Sequence, residues 1–171
     1  MITLNNNSFK FKLITFFLVT CFVFVFRFVP HPPNFTPIIA MTLYGPIFFG
    51  YRSIPFIILA FAISDIFLGF HKLLLFTWGS LGLIGLLHRF FTSFLSRILG
   101  CIISASVFYA LTNFGVWLLS DFYSNDFNGL INCYILAIPF FGNTMFSTIL
   151  FGLMCELIYS SKKYYFIENI K

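Results

Sequence analysis

The stretch "LSRILGCIISASVFYALTNFGVWLL", residues 95–119, carries one charged side chain, Arg97, and places Thr112, Asn113 and Trp117 toward its far end. A transmembrane helix needs roughly 20 mainly apolar residues to cross about 30 Å of hydrocarbon. This run is longer than that, so it predicts a transmembrane helix. Working outward from it, the same test gives five more spans, at about 11–29, 35–50, 53–70, 73–89 and 131–160. The second is short and contains Gly45-Pro46, so it is expected to be broken or to cross only partly. Irregular backbone at membrane depth is tolerated where protein or a cavity covers it, which makes this span a lining element.

Composition agrees with the pattern of runs. The chain is 60% hydrophobic, has 28 Phe among 171 residues and is only 9% charged, against about 25% charged in an ordinary soluble domain. The expected fold is all-α, an integral membrane bundle of six helices forming one domain over residues 1–171. "KFKLITFFLVTCFVFVF" resembles a signal peptide at its basic start but lacks a small-x-small cleavage site; it is read as a retained first helix.

The Lys and Arg residues set the orientation. With both termini inside, Lys10, Lys12, Arg52, Arg89, Arg97, Lys162, Lys163 and Lys171 are cytoplasmic, and only Arg27 and Lys72 lie outside. That is a positive-inside bias. It accounts for the net charge of +5 without a nucleic-acid partner, and the location implied is the inner (plasma) membrane, multi-pass.

The topology gives every intramembrane polar group a depth. Asp65 and His71 fall in the outer half, as do Trp78, Thr112, Asn113, Trp117, Asn143 and Thr144, with Asn34 and Thr36 at the outer start of the second span. On the fifth helix Ser106, Tyr109, Asn113 and Trp117 form one stripe at helical spacing. On the fourth, Trp78, Gly82 and Gly85 form another, whose glycines admit a close neighbour. Pro139, one turn before Asn143, is expected to kink the sixth helix and free a carbonyl near Ile135. Each amide or hydroxyl taken singly could equally serve a helix–helix hydrogen bond. Together they point to an outward-facing pocket formed by Asn34, Asp65, His71, Trp78, Asn113, Trp117, Asn143 and Thr144, with the two tryptophans stacking on a flat ligand.

A carboxylate in a span costs roughly 2.5–3.5 kcal/mol by insertion scales, so Asp65 should be either functional or paired. Its candidate partners are Arg27 and Lys72. Glu156, close in sequence to Lys162 and Lys163, is expected to snorkel to the inner interface, and His88 beside Arg89 is expected to be interfacial. Residues 28–37, "FVPHPPNFTP", are too proline-rich for a flexible linker. They form a candidate lid carrying His31, Pro32 and Pro33.

Catalytic and metal chemistry find little support. The four cysteines show no CxxC spacing, and no zincin, nucleophile-elbow, phosphate-loop or ATP-binding motif is present. The expectation is a protein that is not an enzyme, with no metal and no cofactor.

The blocks "HPPNFTPIIAM", "SDIFLGFH", "SVFYALTNFGVWLL" and "GLINCYILAIPFFGNT" resemble an uncharacterised bacterial membrane family described as transport proteins. That family is similar to the substrate-binding S components of energy-coupling factor transporters. The resemblance spans about residues 27–153. It implies a six-helix subunit that captures a vitamin-like micronutrient near the outer face, beneath the first loop, with a transmembrane coupling protein and two ATPases as partners. The small-residue motif that such proteins present to the coupling protein is absent from "LITFFLVTCFVFVF", which leaves a stand-alone carrier open. The alternatives are a non-transporting membrane scaffold or assembly partner and, at greater distance, an intramembrane enzyme.

Overall fold

In the computed structural model, residues 17 and 20–168 are described, the last seven by their backbone alone. Residues 11–16, 18 and 19 of the first expected span lie outside the described residues, as do Lys10 and Lys171. The regular structure among the described residues is helical, with no strand among them. Residues 17 and 20–26 belong to α1. There follow α2 (Ile38–Phe49), α3 (Ser53–Leu68), α4 (Leu74–Leu87), a 3-10 turn (His88–Phe90), α5 (Phe94–Leu119), α6 (Phe127–Leu136) and α7 (Ile138–Glu168).

Of these, α5 and α7 are long and apolar enough to cross a membrane. Leu75 on α4, Ile66 on α3, Leu95 on α5, and Phe146 and Leu157 on α7 are all at least 60% exposed. Water does not favour so continuous an apolar exterior, and such a surface suits lipid.

The short helix α2 occupies the centre, packed by α3, α4, α5 and α7. With 12 residues it is about 18 Å long at 1.5 Å per residue, too short to cross alone. Ile38, Ile39, Ala40, Leu43 and Tyr44 are nearly inaccessible, and so is Thr42. A helix that is apolar all round is a buried helix, so the short second run becomes the core of the bundle. Its Thr42 hydroxyl is satisfied within the helix by donating to the Ile38 carbonyl. α1 closes against α7 and α3 through rings: Phe26 meets Phe151 edge-on at 5.4 Å, and Phe24 meets Phe67 at 6.0 Å.

Glycines set one helix spacing. A methyl group added at Gly85 would stand 2.9 Å from Ile54 Cγ1, so α3 and α4 touch where the expected small-residue stripe lies. Gly82, on that stripe, has only ordinary contact with Ile58.

The sixth expected span differs from its reading as one kinked helix. It is two helices, α6 and α7, joined at Ala137, whose N–H lies 3.2 Å from the carbonyls of both Cys133 and Tyr134. Pro139 sits in the first turn of α7, where a missing N–H leaves no bond unmade. It therefore opens a helix. α6 has its own start signal, Asp126, whose carboxylate accepts the Gly129 N–H at 2.7 Å, as an N-cap does.

Candidate solute site

The proline loop acquires its shape from four residues. The Phe35 N–H donates to the Pro32 carbonyl at 3.0 Å, closing a turn with Pro33 and Asn34 at its centre. Asn34 has φ 61°. A turn with proline first and a left-handed residue second is the type II arrangement, in which Asn is among the few non-glycine residues accepted at the second position. The His31 ring stacks on Phe26 at 5.5 Å and its Nδ1 lies 2.8 Å from the Pro32 carbonyl. The Asn143 side-chain N–H donates to the Pro33 carbonyl at 3.0 Å. The loop is thus fastened at one end to α1 and at its tip to α7.

Beneath it lies a cavity of about 460 Å³. Arg27, Asn34, His71, Thr112, Asn113 and Thr144 supply polar groups to its wall, and Phe61, Phe108, Tyr109, Phe140 and Phe141 supply rings. A second cavity of about 240 Å³ adjoins it, sharing Arg27, Asn34 and Thr144 and adding His31 and Thr36. Six of the expected segments contribute: the five to which the sequence analysis assigned polar residues at a common depth and the first, through Arg27.

Not every candidate reaches this wall. Asp65 lies behind it, with its side chain only 1% exposed, and forms an ion pair with Arg27 at 2.6 Å. Its other oxygen accepts the Trp78 indole N–H at 2.9 Å. Trp78 is therefore a partner of the carboxylate and does not line the cavity. Trp117 lies beyond it, donating its indole N–H to the Ser124 carbonyl at 3.0 Å and packing on Phe114. Asn143 and Pro32 hold the loop and are not part of the larger cavity's wall. Of the two cations considered for Asp65, Arg27 is the partner and Lys72 is not.

Arg27 is the group the sequence reading missed as a site residue. It had counted only as a topology marker and a partner for Asp65. Its Nη1 donates to Asp65, to the Phe61 carbonyl at 3.1 Å and to the Ser64 hydroxyl. Its guanidinium carbon lies over the Phe61 ring, 3.8 Å from the centroid, a cation–π contact. Among the described residues its Nε and Nη2 meet no protein acceptor. Those donors belong to a side chain that borders both cavities.

His71 completes the rim. Its Nδ1 accepts the Leu73 N–H at 3.2 Å, so in the neutral ring Nε2 carries the proton and is a donor. Asn113 donates its side-chain N–H to the Tyr109 carbonyl one turn back, and Thr144 donates to Phe140. In each case the side chain is oriented by its own helix.

A different polar cluster lies toward the other end of the bundle. Glu156 does not reach an interface. It is 2% exposed and bound through both oxygens, by Arg97 Nε and Nη2 and by the Tyr44 hydroxyl. Lys162 and Lys163 are nearer in sequence, but the partner is Arg97, from α5. The short arm of Glu finds a bidentate donor inside the bundle, which is a better partner than a distant interface.

The sequence family can now be stated. The chain belongs to DUF6580, a family of unknown function. Its family model matches residues 7–165, which include every residue of both cavities. No curated protein and no solved structure matches the chain.

Proposed function

We propose that this DUF6580 protein is the substrate-binding subunit of a membrane transport system, resembling an S component, that captures a small micronutrient or vitamin-like solute from the outer face. The observation that carries the reading is the 460 Å³ cavity under the fastened proline loop, within the range of small-molecule sites. In this reading six segments span the inner membrane, both termini are cytoplasmic and residues 28–37 cover the bound solute. A transmembrane coupling protein with its ATPases supplies the energy. No step of the reading is catalytic.

A second reading, a membrane scaffold, draws on Asp65, Trp78 and Asn143, which direct their polar groups at other protein groups. The two readings separate in a ligand search with the purified full chain, by thermal shift against vitamins and nucleobases. Capture is expected to raise the unfolding temperature with at least one solute, and to do so less in Asn113→Ala. A flat response across the panel favours the scaffold.

A further inference from the structure

Resting on the solute-capture reading, we propose that the ligand is an uncharged planar molecule whose carbonyl oxygen is received by the free N–H edge of Arg27.

The chemistry follows from what Arg27 has and lacks. A guanidinium carries five N–H donors in a fixed plane. Here Nη1 is directed at Asp65, Ser64 and the Phe61 carbonyl, while Nε and Nη2 have no acceptor among the described residues. The side chain is only 15% exposed, so bulk water solvates it poorly. A donor pair in a half-closed cavity is best satisfied by an acceptor that arrives with the ligand.

Charge decides which acceptor. Asp65 already neutralises Arg27, and the larger cavity's lining contains no Lys, Asp or Glu. A carboxylate ligand would share one guanidinium with Asp65, placing two negative charges around one positive in a medium that screens weakly. An ammonium ligand would face Arg27 with no carboxylate of its own. A neutral carbonyl takes the free N–H bonds and leaves the local charge at zero.

Shape comes from the walls. Phe61 already has Arg27 on one face, and Phe108, Tyr109, Phe140 and Phe141 surround the remaining space. Tyr109 and Phe141 lie 4.5 Å apart, centroid to centroid. Rings of this kind favour a flat partner in offset or edge contact.

The test uses three probes of one fused-ring size with the detergent-solubilised full chain: quinolin-2-one, 2-naphthoate and 2-naphthylmethylammonium. Direct binding titration is expected to give quinolin-2-one a Kd at least tenfold lower than either charged probe. Arg27→Ala would strand the Asp65 charge and threaten folding, so the variant is the pair Arg27→Met with Asp65→Leu. Replacing both members of a buried pair by apolar residues is often neutral for stability. This double variant is expected to keep its cooperative unfolding transition and to lose at least tenfold in quinolin-2-one affinity. Equal binding of the three probes, tighter binding of either charged one, no binding of quinolin-2-one, or unchanged affinity in the folded double variant overturns the proposal. If quinolin-2-one fails while another solute in the wider panel stabilises the chain, the ligand class falls and capture stands. If no solute stabilises it, both fall.

Discussion

Two arginine–carboxylate pairs are buried in this bundle, and they are used differently. Arg97 spends all three of its nitrogens on protein acceptors: Nε and Nη2 on Glu156 and Nη1 on the Thr92 carbonyl at 2.7 Å. Its side chain is 6% exposed, the Tyr159 ring lies 4.6 Å from its guanidinium carbon, and Tyr44 donates to the same carboxylate at 2.9 Å. Arg27 spends one nitrogen on protein acceptors, and its side chain borders two cavities. Along α5 the ring of residues around Asn113 is about 24 Å from Arg97 at 1.5 Å per residue. A saturated guanidinium fastens helices together; a partly used one beside a void is placed to bind. Burial of a charge does not by itself separate the two roles.

The largest effects should come from breaking one partner of each pair. Glu156→Ala strands Arg97, a largely buried side chain, and is expected to cost about 3–5 kcal/mol, as buried pairs do. Asp65→Ala should cost less, because the stranded Arg27 faces a cavity that can admit water. Unfolding in mixed micelles ranks the two. An equal loss at both sites would erase the distinction drawn between the saturated and the partly used pair.

Intermediate effects belong to the loop that covers the cavity end. Asn34→Val forces a β-branched residue into left-handed backbone and should cost about 1–3 kcal/mol, whereas Asn34→Gly should fit the same turn without that strain. Asn143→Ala removes one neutral hydrogen bond, about 0.5–1.5 kcal/mol. It is expected to speed amide exchange at Phe35 and solute release while leaving the Arg97 end unaltered. Exchange that rises equally at both ends would mean the loop is part of the general packing.

Much of this arrangement was legible in the sequence. The apolar runs locate the helices, and Asn34, His71, Asn113 and Thr144, grouped by the sequence analysis, are residues that the structure places on one cavity wall. What the sequence concealed depends on distance and direction. Trp117 does share a helical stripe with Tyr109 and Asn113, yet the cavity ends before it, so correct periodicity gave a wrong contact. Trp78 turns its indole N–H toward Asp65 and away from the role expected of it. Glu156 and Arg97 are far apart in sequence, and local charge pointed elsewhere. The break at Ala137 was hidden because a proline inside an apolar run reads as a kink until the helix start is seen. Arg27 was overlooked because it counted as a topology marker.

A smaller effect should appear at the start of α6. The Gly129 N–H, and then the Ser124 hydroxyl, hold the Asp126 carboxyl below its ordinary value. A carboxylate depressed in the folded state stabilises above its unfolded pKa, and that contribution fades as pH falls through the depressed folded value. Acidifying from pH 5 to about pH 3 should therefore fray α6 in the wild type and add little in Asp126→Asn, as read by amide exchange at Leu130. Identical acid responses would remove the carboxylate from the cap.

The most direct test asks which part of the bundle is open. In a background with the native cysteines replaced, Thr112→Cys on the cavity wall and Ser104→Cys, a buried position about 12 Å further along α5 at 1.5 Å per residue, are exposed in intact cells to a membrane-impermeant thiol reagent. The expected result is rapid labelling of Thr112→Cys from outside, slowed when quinolin-2-one is present, with Ser104→Cys unreactive. Labelling of both positions at one rate, or of Thr112→Cys only after the membrane is opened, would contradict an outward-facing solute site.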